Sequence, residues 1–207
     1  MSLDFYEDED PLGELEWAID DAVTQFLSLH QDSMSPELVA DKLGVLADVI
    51  SLINGKELPK PEELKDSLYT LIKSFGFRVG SQDRAIIDMV VGEYANSDQG
   101  GKEDILMKLD RTLRSLTNDV VTTFIDRLVR QYGGDALDKI TDCLVMYGMS
   151  EKGFSCGFRA IGISGDVAEE LGSSLAKIYY DDGTPNAKLI MRDLLNEWYM
   201  TVYNESD

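Results

Sequence analysis

Along most of the chain, apolar residues recur at spacings of three and four between short polar breaks, the period of amphipathic α-helix. Leu15, Ile19, Val23, Phe26 and Leu27 set one face of a first helix over about 12–30. Ser35-Pro36-Glu37 is an N-cap followed by proline at the first helical position, and Asn54-Gly55 is a stop. Between them Val39, Leu43, Leu46, Ile50 and Ile53 form a heptad seam. A third helix is expected from Pro61 to Phe75 and a fourth over 82–96. The fifth, over 102–132, carries Leu106, Leu109, Leu113, Leu116, Val120, Phe124 and Leu128, and spans roughly 45 Å at the helical rise per residue. Three more are expected over 135–149, 166–180 and 186–204. The period predicts an all-α, multi-helix bundle of about eight helices. One short stretch stands apart: Phe154, Cys156 and Phe158 alternate inside the glycine-rich run 153–165, which is expected to be a loop.

Within this pattern lies an internal similarity. Ser74-Phe75-Gly76-Phe77-Arg78-Val79-Gly80 resembles Ser155-Cys156-Gly157-Phe158-Arg159-Ala160-Ile161-Gly162, and each copy is followed by Asp-x-Ala opening a helix, at Asp83 and Asp166. Further on, Ile105-Leu106-Met107-Lys108 matches Leu189-Ile190-Met191-Arg192. Two copies of a three-helix unit are expected, over 56–134 and 135–207, behind an acidic helical pair at 11–55 and a mobile acidic tail at 1–10, all packed as one domain. At the corners Gly76 and Gly157 are expected to take positive φ after a helix end. Arg78 and Arg159 would there serve as structural anchors, on carbonyls or on the acid opening the next helix, or as a pair of ligand anchors for a carboxylate or phosphate.

Charge changes the picture more than composition does. The 207 residues carry a formal net charge of −20 with 43% hydrophobic content, enough apolar material for a real core. The charge is uneven: −12 over residues 1–55, where Lys42 is the one base, −1 over 56–134 and −7 over 135–207. Such a field repels phosphate backbones and anionic lipid, and favours encounter with basic protein surfaces. No direct nucleic-acid contact and no membrane association are therefore expected. The two cysteines, Cys143 and Cys156, form neither a disulfide framework nor a zinc pattern, and no signal peptide is legible at Met1-Ser2-Leu3-Asp4, so a cytoplasmic location is expected.

Candidate catalytic chemistry is sparse. His30, the single histidine, sits at a predicted helix end, where the dipole accounts for it. The spaced acid pairs Glu63/Asp66, Asp135/Asp138 and Asp166/Glu169 fall in first turns, where carboxylates cap free N–H groups. No catalytic set, no metal site and no cofactor motif is assigned. Cys143 is read as a core residue and Cys156 as a loop thiol. The expected function is a non-catalytic helical interaction protein (inhibitor, immunity-type or adaptor) that engages a basic protein partner through Glu16, Asp20, Asp21, Glu37, Asp41 and Asp48. A self-associating scaffold is the alternative, using the aromatic last helix with Trp198, Tyr199 and Tyr203 as an interface in a homo-oligomer; a carboxylate-based metal-dependent hydrolase is the third.

Overall fold

The computed structural model describes residues 10–76, 79–179 and 185–204, which are α-helical apart from short connections. In order the helices are α1 (Pro11–His30), α2 (Pro36–Ile53), α3 (Pro61–Phe75), α4 (Ser81–Asn96), α5 (Gln99–Tyr132), α6 (Ala136–Tyr147), α7 (Glu151–Ala160), α8 (Gly165–Tyr179) and α9 (Pro185–Asn204). No strand occurs among the described residues, and no helix there is long and apolar enough to cross a membrane. The acidic tail up to residue 9 and Arg78 lie outside the described residues.

Helix α5 is the spine. Its stripe from Ile105 to Leu128 is buried, and α1, α2, α4, α6 and α9 all rest on it. The buried apolar residues form one continuous core drawn from all nine described helices. The start of α5 is set by Asp98, whose carboxylate accepts from the Gly101 N–H at 2.8 Å, so the helix begins three residues earlier than the apolar pattern alone indicates. Ser35 caps α2 in the same way, accepting from Leu38 at 3.2 Å.

Polar ties fix neighbours to this spine. The Arg114 guanidinium is held by Asp110 at 2.9 Å and donates to the Ile178 carbonyl near the end of α8. Asn54, at the end of α2, donates to the same Asp110 carboxylate at 2.8 Å. The Tyr179 hydroxyl donates to Asn118; burial pushes this phenol well above its usual range, so it stays a protonated donor. Lys42 is similarly turned inward. Its ammonium donates to the Ser74 carbonyl at 2.6 Å and lies 5.6 and 5.8 Å from the rings of Phe26 and Phe75, which meet edge-on at 5.3 Å. The one base of the N-terminal third is thus spent capping the end of α3.

The glycine-rich run departs from expectation. Residues 151–160 are a helix, α7, not a loop, and Phe154 and Phe158 lie one turn apart on its buried face. Glycine serves here for close approach. A Cβ on Gly153 would stand 2.0 Å from the Gly148 carbonyl oxygen, and one on Gly172 of α8 would stand 2.8 Å from the Glu151 oxygen. Helix α7 is therefore wedged between α6 and α8 at near-backbone contact. The two corners are also unlike each other: Gly76 ends α3 in an extended conformation (φ −97°, ψ 156°), whereas Gly157 lies inside α7. Neither takes the expected positive φ.

Two glycine substitutions separate these effects. Gly153→Ala drives a methyl into backbone and should cost about 3 kcal/mol, whereas Gly92→Ala in α4, with nothing within 4 Å of the new Cβ, should gain about 0.5–1 kcal/mol. Thermal melts of the two variants beside the parent chain check both signs.

Candidate functional site

The face of α1 that is not buried lines a polar cleft with an exposed aromatic. Leu15, Ile19, Val23 and Phe26 turn inward. Residues two positions from that stripe are carried about 200° round the helix, which puts Trp17 on the outside, 69% exposed. Glu16 and Asp20, one turn apart, flank it. Across from them α5 contributes Arg111, Thr112, Ser115 and Asp119, and the two helices enclose a cleft of about 490 Å³. The Asp119 carboxyl is held above the usual carboxylate range, by partial burial first and by the charge of Asp20 second. Three carboxylates and one guanidinium thus line the cleft, leaving it net negative. That arrangement suits a cation: carboxylates to take its charge and an indole face to cover it. It holds no nucleophile paired with a base, and no group of three or more His, Cys, Asp or Glu side chains is placed to hold a metal ion among the described residues.

The remaining predicted acids are placed elsewhere. Asp21 accepts from Gln25 at 3.0 Å on its own helix. Glu37 is exposed in the first turn of α2. Asp41 lies 3.7 Å from the Lys42 ammonium, and Asp48 lies 3.8 Å from that of Lys177 on α8. None of these four lines the α1–α5 cleft. Helix α1 makes its main contacts with α4, α5 and α3, and α2 with α8, α3 and α5, so the acids of the two helices are set by different neighbours.

Arg159 pairs with Glu169, in the second turn of α8, rather than with Asp166 at its start. Trp198 is fully buried and belongs to the core rather than to an interface. Tyr199, half-buried, donates to Asp138 of α6 and stacks on the exposed Tyr203 with ring centroids 5.8 Å apart. In a second hollow, of about 330 Å³ between α3 and α4, Lys65 pairs with Asp88 at 2.8 Å and Arg84 donates to the Tyr69 hydroxyl at 2.9 Å. Of the acid pairs of the predicted first turns, Glu63 accepts from the Lys60 N–H at 3.1 Å and Asp135 lies 3.5 Å from Lys139, each on its own helix, whereas Asp138 and Glu169 reach neighbouring helices.

Sequence reasoning reached Glu16 and Asp20 but missed Trp17, Arg111 and Asp119. Trp17 was legible, since it falls off the apolar stripe. Asp119 and Arg111 carry no local signal, because only the crossing of α1 on α5 brings them to the cleft.

Because Asp119 has a raised pKa in the folded chain, the native state binds its proton more readily than the unfolded one. Its ionisation therefore subtracts from stability as pH rises through the interval just above the ordinary carboxylate value of 3.8. Asp119→Asn should not lower the thermal midpoint at neutral pH, and should flatten its dependence on pH over about 4 to 7. Melting curves across that range test the sign; a clear loss of stability in the Asn variant would refute the placement of this carboxyl.

No protein-family model, curated protein or solved structure matches this chain.

Proposed function

We propose that this chain is a non-catalytic helical interaction protein that engages a basic protein surface through the acidic outer face of α1 and its cleft with α5. The observation that carries this reading is Trp17, a large aromatic left 69% exposed between Glu16 and Asp20. Exposed tryptophan is costly in solvent and is a residue type that dominates binding energy at protein interfaces. Beside carboxylates it matches an arginine or lysine side chain, which gains both an ion pair and a ring to stack on. The inward-turned Lys42 leaves residues 1–55 without an outward base to offset their 13 acids. Inhibitor, immunity-type and adaptor roles all use such a face, and competition with nucleic acid for a basic groove is one form of it.

Capture from source-cell lysate on the immobilised chain, washed at about 0.1 M and then 1 M salt, reads the charge contribution, because the screening length falls from about 10 Å to 3 Å. The same capture with Glu16→Lys/Asp20→Lys and with Trp17→Ala localises it. A basic protein retained at low salt, shed at high salt and reduced about tenfold or more by either change, equivalent to about 1.4 kcal/mol, is the expected result. Equal retention by the variants refutes the α1 face, and the further reversals Asp21→Lys, Glu37→Lys, Asp41→Lys and Asp48→Lys report what the other acids add.

Self-association is a second reading with its own observation. Val145 and Met146 on α6 are 68% and 70% exposed, and Met200 and Tyr203 on α9 are 61% and 59% exposed. It predicts a concentration-dependent sedimentation coefficient that Met146→Asp abolishes. A strictly monomeric profile at high concentration removes it.

A further inference from the structure

The two cysteines of the chain lie on different helices, Cys143 on α6 and Cys156 on α7, joined by the short connection 148–150. The two helices run antiparallel at unusually close range. A Cβ built on Gly157 would stand 3.0 Å from the Ile140 Cα, and one on Gly153 would stand 3.5 Å from the Leu144 Cδ2. Each cysteine is the immediate neighbour of one of these contact residues, Cys143 of Leu144 and Cys156 of Gly157. Burial first, and then the Cys156 thiol across the seam, push the Cys143 thiol up to about 12, and both residues are only half-buried. Thirteen positions apart in sequence, they are brought together by the helix that the glycine run conceals.

We propose that Cys143 and Cys156 are a reversible dithiol modification site, closing to an intramolecular disulfide across the α6–α7 hairpin by exchange with a low-molecular-weight disulfide. This site is separate from the α1–α5 cleft and stands or falls independently of it. Exchange begins at Cys156. Burial first and the neighbouring Cys156 thiol second hold Cys143 as the protonated thiol, so Cys143 is the poorer first nucleophile. The Cys156 thiolate attacks one sulfur of the small disulfide, forms a mixed disulfide and expels one thiolate, which takes up the proton that Cys156 released. The Cys143 sulfur then attacks the Cys156 sulfur, breaks the mixed disulfide and expels the second thiolate, which takes the Cys143 proton. Two protein thiols and one small disulfide become one protein disulfide and two small thiols, with two electrons passed to the small molecule. Excess small thiol reverses both steps.

The test uses the full chain, reduced and then equilibrated in mixtures of oxidised and reduced glutathione, with thiol titration and intact mass as readouts. The expected result is loss of both thiols together, in a monomer lighter by two hydrogen atoms, restored by reduced glutathione. Mixed disulfide should not build up on the parent chain, and should build up on Cys156 in Cys143→Ser. Thiols that persist at the most oxidising ratio would overturn the proposal. So would glutathione adducts accumulating on both sulfurs of the parent chain, or a disulfide joining two chains.

Discussion

A helix as long as α5 cannot stand in water with a continuous apolar stripe exposed. Burying that stripe from Ile105 to Leu128 requires other helices along most of its length, and α1, α2, α4, α6 and α9 meet the demand. Each brings its own apolar face to the same core, so five of the remaining helices are oriented by one surface. The ties from Arg114 and Asn118 to the end of α8 then set the register, because they satisfy buried or partly buried polar groups that have few other places to go.

A second constraint acts locally at α6, α7 and α8. Ten residues form a short helix, which has little stability alone. Helix α7 is held because glycines remove the side chains that would otherwise keep its neighbours apart, and Phe154 and Phe158 enter the core from its buried face. The same close approach brings the cysteine-bearing segments of α6 and α7 side by side. Packing and the proposed chemistry share one cause here: the glycines that let the backbones meet.

The acidic surface has a different origin. It is what remains when the apolar stripes of α1 and α2 turn inward and Lys42 is drawn under Phe26 and Phe75. On α2, Asp41 and Asp48 lie near Lys42 and Lys177, whereas Glu16 and Asp20 of α1 share a cleft with an exposed indole, Arg111 and a further carboxylate on α5. Of the two helices, α1 keeps the more concentrated negative field around a residue able to bury apolar area against a partner.

The amino-acid pattern by itself determined the all-α class and most helix boundaries, because the 3.6-residue period, Pro36 and Pro61, and Asn54-Gly55 are local signals that tertiary context did not override. It also determined that α1 carries acids outward. It failed at α7, since glycines at 153 and 157 read as breakers when each residue is weighed by its own propensity; only the presence of α6 and α8 at near-backbone distance makes glycine favourable there. The similarity between 74–80 and 155–162 misled at the corner glycines for the same reason, Gly76 ending one helix and Gly157 lying within another. Tertiary structure alone decided the burial of Trp198, the arrival of Asp119 beside Asp20, and the meeting of Cys143 with Cys156. Each of these depends on which helix crosses which, and no single helix encodes its neighbour.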